Sequence, residues 1–402
     1  MSAVYRRVAA VTVLVALAMA CARHETTPPE TSGATPPLDA GPGPAAGSSA
    51  VASRTEPLRK PQVVPPDGTD AFRSARAACD WLARHQSADG GWNLRVPDGG
   101  CGDARCSTGE GPPDVVGDTS LALLAFLSAM VDLDSKRFGA ALKSGLARLV
   151  SAQAPDGSFD VATAPHPVLD QALATEAFWW FLARTSHARA ADRLCRVAAE
   201  RAVTHLVALR APGAAWSDGT VGSPCDLRVT TWATLAVAEA RHAGFDVPAE
   251  VSRDVLSWLD SDPGGRTESA AAMRTCCRVF LGTTQRDPRL IADHEILVAF
   301  DAVPDKDGRA SDALGRYFVT VAESHWGGDV WARRRTSGNG AVLPRQRREE
   351  DGCVCGSWDP DGAGGPEGDR VGATALTAML FDAAYISTYA NVMRAKGPLI
   401  PK

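Results

Sequence analysis

The chain is poor in lysine and contains no basic run longer than the three arginines at 333–335. Among its 402 residues, 42 are Lys or Arg and 47 are Asp or Glu, which gives a formal net charge of −5. Arginine greatly outnumbers lysine, but the arginines are scattered among acidic residues. Because nucleic-acid binding needs a concentrated basic surface, we expect no nucleic-acid partner.

Long apolar runs are also missing, apart from one near the start. A basic pair, Arg6 and Arg7, precedes a run over residues 8–19 that is apolar except for Thr12. The run is too short to span a bilayer as a helix, but it has the length of a signal-peptide hydrophobic region. We therefore predict that residues 1–20 form a signal peptide and that the chain is exported.

Small residues lead from this run directly to Cys21, in the sequence Leu-Ala-Met-Ala-Cys. The pattern resembles the lipobox of bacterial lipoproteins, in which the Cys is diacylated, although Ala18 stands where Leu is usual. The resemblance implies a lipid anchor on Cys21, the membrane as a partner, and a place in the cell envelope, periplasmic or facing the outer membrane. An ordinary cleaved secretory signal with an incidental Cys is the alternative.

Residues 22–66 have almost no large apolar side chains and are rich in Pro, Gly, Ser, Thr and Ala. Such a composition cannot bury enough surface to fold. We predict that residues 21–67 comprise the lipidated Cys and a disordered linker, and that residues 68–396 form one folded domain.

Ten cysteines are disulfide candidates in an exported chain. Without Cys21 nine remain, so at least one is free or pairs with another chain. Cys101 and Cys106 flank a Gly-containing loop and are spaced for a local disulfide, whereas the pairs Cys276-Cys277 and Cys353-x-Cys355 are poorly placed to bond within themselves.

Zinc is the alternative use for four of these thiols. However, no His lies at the spacing of a zinc finger, so we predict no metal and no cofactor. The four thiols are those of Cys101, Cys106, Cys353 and Cys355.

A short element recurs along the predicted domain. The stretch "WLARHQSADGGW" at residues 81–92 matches "RLVSAQAPDGSF" at 148–159 and "HLVALRAPGAAW" at 205–216, and two weaker copies follow at 257–265 and 342–358. The residues that mark the element are Gln86, Trp92, Gln153, Phe159, Trp216 and Trp358.

Each copy lies between two segments with helical spacing of apolar residues. The preceding segments are amphipathic, and the following ones are apolar nearly all round, as buried helices are. We count six outer and six inner helices, enough to fill the ~330 residues with short loops. The pattern predicts an all-α fold, an α/α toroid in which these helix hairpins close into a barrel.

The Gln, Asp-Gly and Trp element resembles the QW motif of terpene cyclases, whose α/α toroid is shared with protein prenyltransferases. The resemblance covers essentially all of the predicted domain. We interpret the motif as structural, with Gln capping backbone groups of the next helix and Trp stacking on the Asp-Gly turn. A shared fold does not imply a shared function.

The catalytic motifs of toroid proteins are missing. No Asp-x-Asp-Asp run occurs, although squalene cyclases need one to protonate their substrate. Asp351-Gly352-Cys353 is similar to the first half of the prenyltransferase zinc triad, but the last His is His325, so the third ligand is missing downstream. Cys101 has no Gln three residues on, which excludes a complement-type thioester there.

Every predicted inner helix begins at an acidic residue. Carboxylates at one end of these helices can supply the acid and the base for cleaving a polysaccharide. The alternative is helix capping, because an Asp at the N-cap satisfies free backbone N–H groups. The candidates are Asp118, Asp170, Asp226, Glu268, Asp312 and Asp369.

Four aromatic residues on the predicted inner helices are candidates for an apolar ligand cavity, with core packing as the alternative. They are Phe126, Trp179, Trp180 and Trp232. His166 and His325 have no partner at motif spacing, and we interpret both as loop structure.

Two hypotheses follow. In the first, which the missing motifs favour, an envelope-anchored toroid is a binding or scaffolding module for an unidentified envelope ligand or protein. In the second, it is a hydrolase or lyase that acts on an envelope polysaccharide or an isoprenoid lipid through carboxylates at the inner-helix starts.

Overall fold

Helices follow one another in pairs along the chain in the computed structural model. The predicted signal segment, Cys21, the linker and Cys101 lie outside the residues that the structure describes. Those residues are 69–93, 106, 114–159, 165–184, 190–211, 213–218, 223–301, 312–360 and 366–394.

The all-α prediction is confirmed, and the described residues hold the twelve predicted helices. They are α1 (Asp70–Arg84), α2 (Val115–Ser128), α3 (Gly139–Ala152), α4 (Pro167–Arg184), α5 (Ala190–Ala208), α6 (Leu227–His242), α7 (Ala249–Leu259), α8 (Glu268–Phe280), α9 (Pro288–Asp301), α10 (Ala313–Trp326), α11 (Gly328–Val342) and α12 (Arg370–Arg394). Three 3₁₀ turns precede α12, namely η1 (Leu343–Arg345), η2 (Glu349–Val354) and η3 (Pro366–Gly368).

The even-numbered helices contact one another in cyclic order. Each packs against the next, from α2 to α12, and α12 packs against α2. Each odd-numbered helix packs against an even-numbered one. The even-numbered helices are buried almost all round, so that every residue of 117–128 in α2 and of 229–240 in α6 is buried. These helices form the interior because their apolar residues leave no polar face for water.

Where the repeat element has its Gln, that residue joins one helix pair to the next. Gln86 Nε2 donates to the carbonyl of Gly90 in its own turn, at 2.8 Å, and to that of Ala141 in α3, at 2.9 Å. Gln153 makes the same two bonds one repeat later. In the third copy, Arg210 replaces the Gln and reaches its own turn and an acid of α7. The predicted link between neighbouring helices is therefore present.

The last copy completes the cycle. Gln346 donates to the carbonyl of Gly356 at 2.8 Å and to that of Ser74 in α1 at 2.9 Å. The contact that links successive pairs elsewhere thus links the end of the repeat series to its first helix.

The Trp of the element makes hydrogen bonds that the sequence did not predict. The buried indole N–H of Trp92 donates to the carbonyl of Leu82 at 2.8 Å, and its backbone N–H donates to Thr119 Oγ1 at 3.1 Å. Trp216 and Trp358 make both kinds of bond. Each Trp therefore ties the end of an outer helix to the following inner helix.

The four aromatic cavity candidates pack in the core. Phe126 and Trp232 are fully buried, and Trp179 and Trp180 are 1% and 5% exposed. Trp232 stacks on Tyr317 of α10, with ring centroids 5.8 Å apart. In this structure they fill the interior between the even-numbered helices.

The expected disulfides do not form among the described cysteines. Burial among apolar neighbours raises the pKa of the Cys195 thiol to about 12 and that of the Cys277 thiol to about 11, so these side chains act as small apolar groups. The eight described cysteines that form no disulfide are Cys79, Cys106, Cys195, Cys225, Cys276, Cys277, Cys353 and Cys355. Within the described ranges, no helix combines the length and the apolarity needed to cross a membrane.

Candidate functional site

The acidic residues predicted at the inner-helix starts have different roles. Asp226, Asp312 and Asp369 are caps, since Oδ1 of each accepts a hydrogen bond from the backbone N–H three residues on, at 2.9, 2.5 and 2.8 Å. An N-cap bond of this kind contributes about 1 kcal/mol to stability. The capping interpretation is confirmed for these three.

Glu268 is held by ion pairs. Thr267 caps α8, and Glu268 is the first residue of the helix. Its Oε1 lies 2.7 Å from Nη1 of Arg334, whose Nε lies 3.0 Å from Glu323. These buried charges tie together α8, α10 and α11, which is a structural role.

Asp118 and Asp170 lie inside the first turns of their helices, because α2 and α4 begin three residues earlier than predicted. The N-cap of α2 is Asp114, whose Oδ1 accepts from the N–H of Gly117 at 3.1 Å. At α4, Pro167 takes the first helical position, where its fixed φ is suitable. Because the helices begin earlier, neither Asp118 nor Asp170 is an N-cap.

Asp114 is the acid that acts most strongly on Asp170. Both side chains are buried, each residue being 1% exposed. Two ionised carboxylates buried side by side repel each other, which favours the protonated form of Asp170. A Cβ at Gly117 would lie 2.7 Å from Asp170 Oδ1, so glycine there lets the first turn of α2 approach the acid.

His166 and Asp218 form the accessible side of the same site. His166 Nδ1 lies 2.6 Å from Asp218 Oδ2, and the two side chains are 28% and 13% exposed. Asp218 Oδ1 accepts from the backbone N–H groups of Val168 and Leu169, at 3.1 and 3.2 Å. The carboxylate thus caps α4 from outside and holds the imidazole next to its first turn.

Arg228 connects this pair to a fourth acid. Its Nη2 lies 3.9 Å from Asp218 Oδ2, and its Nη1 lies 3.5 Å from Oε2 of Glu367 in η3. The Glu367 side chain is fully buried, whereas that of Arg228 is 23% exposed. We call Asp114, His166, Asp170, Asp218, Arg228 and Glu367 the carboxylate site.

The carboxylate site retains protons that exposed acids would lose. Burial, and then the charges of Asp114, Asp218 and Glu367, raise the pKa of Asp170 well above its usual range. Burial also raises the pKa of Glu367, against the opposing effect of Arg228. The hydrogen bond to Asp218 raises the pKa of His166, although burial acts in the other direction. Perturbed groups gathered in this way are typical of acid–base sites.

Sequence reasoning found only part of this site. It proposed Asp170, interpreted His166 as loop structure and missed the other four residues. A signal for Asp114 was available, because an Asp between prolines and an apolar helical segment is a typical N-cap. Asp218 and Glu367 lie in turns that carry no such signal.

Comparison with known proteins gives no family for the chain, since no protein-family model matches it and no curated protein matches it either.

Proposed function

We propose that the chain is an envelope-anchored α/α-toroid enzyme that cleaves an envelope polysaccharide by acid–base chemistry at the carboxylate site. The observation that carries the proposal is the gathering of four acids, a His and an Arg from separate segments at or before the starts of α2, α4, α6 and α12. Isolated charges are costly to bury, so a protein with no use for them would be expected to replace them.

The exposure and the charge of each residue of the carboxylate site indicate its role in the proposed reaction. His166 and Asp218 are the groups that a bound substrate would touch, because they reach the surface. The protonated imidazole, which Asp218 orients, can donate a proton to a leaving oxygen, and the neutral imidazole that remains can take a proton from the attacking water. Arg228 would hold an anionic or hydroxyl group of the sugar.

Asp170 and Asp114 lie behind this pair. The raised pKa of Asp170 favours its uncharged form, which reduces the negative charge next to Asp218. We assign them a positioning role, in which they set the charge that His166 and Asp218 experience. Glu367 also affects the charge that this pair experiences, through its ion pair with Arg228.

The wider proposal rests on three observations. The cyclic contacts of the even-numbered helices and the Gln346 link to α1 support a toroid. The apolar run at residues 8–19 and Cys21 support export and lipid anchoring. An isoprenoid lipid is a weaker substrate candidate, because Phe126 and Trp232 are fully buried in the core.

A binding module without catalysis is the second candidate. The packed interior favours it, since a filled ring leaves recognition to its ends and outer surface. Under that hypothesis the carboxylate site would bind a cationic or hydroxyl-rich ligand and leave it unchanged.

Turnover by the purified full chain distinguishes the two. We would incubate it with envelope glycans, including peptidoglycan strands and polyuronates, and measure new reducing ends or unsaturated products. We expect cleavage of one glycan class, and a loss of about 10²- to 10⁴-fold in Asp218→Asn, because His166 loses the carboxylate that holds its proton in place. The amide oxygen can still cap α4, so this variant should fold.

Asp312→Asn is the matched control. It makes the same chemical change at the start of α10, where the acid is a cap that Asn replaces well. Its activity should equal that of the unsubstituted chain. Binding of a glycan without cleavage would support the module instead, and equal activity in both variants would remove the carboxylate site from the mechanism.

A further inference from the structure

Three metal-binding side chains converge at the beginning and end of the repeat series. His85 is the C-cap of α1, Cys353 lies in η2, and Cys106 comes from the segment before α2. Their ligand atoms all lie within 4.8 Å of one another, and among the described residues no other group of three or more His, Cys, Asp or Glu does so.

The spacing of these atoms suits a tetrahedral metal ion. His85 Nε2 lies 3.3 Å from the sulfur of Cys106 and 3.3 Å from that of Cys353. With metal–nitrogen bonds of ~2.0 Å and metal–sulfur bonds of ~2.3 Å, nitrogen and sulfur ligands of one zinc ion lie about 3.5 Å apart. The observed distances are within a few tenths of an ångström of that value.

The imidazole is oriented for ligation. His85 Nδ1 lies 2.8 Å from the carbonyl oxygen of Trp81, to which it donates, and this fixes the tautomer with its lone pair on Nε2. The ring also stacks on Trp81, with centroids 4.4 Å apart, and His85 is 1% exposed. Backbone-bonded, immobilised His residues are the usual form of metal-ligating imidazole.

The segment that carries Cys353 is held in place by other contacts. Arg84 donates to the carbonyl of Cys355 at 2.8 Å. Gly356 has φ +95°, and a Cβ there would lie 2.4 Å from the carbonyl oxygen of Ala77, so η2 lies directly against α1. The thiol is therefore positioned by the fold itself, which lowers the cost of ordering a metal site.

We propose that His85, Cys106 and Cys353 bind a zinc ion that fastens the end of the repeat series to α1. A set of one imidazole and two thiolates favours zinc among the common metals. The sequence predicted no zinc site because no His lies at the spacing of a zinc finger. In the fold, His85 reaches the two thiols from the end of a helix that is distant from Cys353 in the sequence. Asp351, whose carboxylate Oδ2 accepts from the N–H of Arg348 at 2.7 Å, is a turn cap and is not in the ligand group.

Metal analysis of the full chain tests the site. After production in zinc-containing medium and purification in detergent, we expect about one zinc per chain. Cys106→Ser and Cys353→Ser should each lower zinc occupancy at least about tenfold under a competing chelator. Cys225→Ser is the matched control, because Cys225 is a free, half-buried thiol outside the group, and it should keep full occupancy.

A second measurement keeps the test decisive if the Ser variants fail to fold. The unsubstituted chain, stripped and loaded with cobalt(II), should show thiolate-to-metal charge transfer and the absorption of a tetrahedral cobalt site. A chain that takes up neither zinc nor cobalt would overturn the proposal. So would zinc content unchanged in both Ser variants, or a Cys106–Cys353 disulfide found by peptide mapping under non-reducing conditions.

Discussion

At the scale of single residues, Asp170 combines burial with an unfavourable electrostatic environment. Its carboxyl group is surrounded by Asp114, Asp218 and Glu367, and its pKa is raised. A carboxyl group with a raised pKa in the folded state stabilises the fold at low pH, and that contribution is lost as the pH rises through the folded-state pKa. Asp170 should therefore lower stability at neutral pH.

Asp170→Asn should stabilise the protein at neutral pH. The amide cannot ionise, so it removes the cost of a buried negative charge beside Asp114, Asp218 and Glu367. We expect the free energy of unfolding at neutral pH to rise by ~0.5–2 kcal/mol, the range of a single stabilising substitution. The gain should shrink as the pH falls below about 3.9, the ordinary pKa of Asp, because Asp170 is then protonated in both the folded and the unfolded chain.

Urea unfolding of both proteins at several pH values measures this difference. A loss of stability at neutral pH would instead show that Asp170 is ionised and favourably paired in the fold.

Residue identity alone could not distinguish caps from site residues. Asp226 and Asp170 both precede apolar helical segments, and only the true helix starts separate them. The first becomes an N-cap, and the second enters the first turn because Pro167 begins α4. Helix boundaries shift by a few residues in any sequence-based prediction, and here three residues decide the role.

At the scale of elements, glycine sets the distance between successive repeats. Gly157 has φ +91°, and a Cβ there would lie 2.2 Å from the carbonyl oxygen of Arg201 in α5. Gly90 makes the same kind of approach to Ser144 in α3. The Gly of the Asp-Gly turn is thus required for two reasons: its backbone has a positive φ, and a side chain there would collide with the next outer helix.

Gly157→Ala should cost more stability than Gly213→Ala. Both glycines have positive φ, which costs an L-residue roughly 1–2 kcal/mol, but a Cβ at Gly213 would meet nothing within 4 Å. At Gly157 the turn must also move away from α5, so we expect a total loss above about 3 kcal/mol.

Chemical denaturation of the two variants gives the comparison. Equal losses would mean that the contact with α5 is loose and that only the backbone conformation matters.

The elements themselves were predictable, because the apolar spacing of each helix and the Gln and Gly of each turn are local signals. The apolar pattern predicted six outer and six inner helices, and the described residues contain twelve helices. It did not find that Gln346 bonds to Ser74, since no local pattern indicates which distant carbonyl a side chain will reach.

At the scale of the whole molecule, cyclic order brings distant parts of the chain together. The carboxylate site combines residues from Asp114 to Glu367, and the proposed zinc site combines His85 with Cys353. Neither set has a motif spacing, because its members become neighbours only when α12 packs against α2. This is why the sequence argument reached the fold class but not the complete sites.

The pH dependence of kcat/KM on the cleaved glycan, compared with the NMR titration of His166, tests whether the carboxylate site is catalytic. We expect kcat/KM to fall on the alkaline side as the imidazole loses its proton, at a pH above the ordinary His pKa of about 6.5 and matching the titration. An alkaline limb that does not follow His166, or no cleavage of any glycan, would contradict the assignment of the carboxylate site as catalytic.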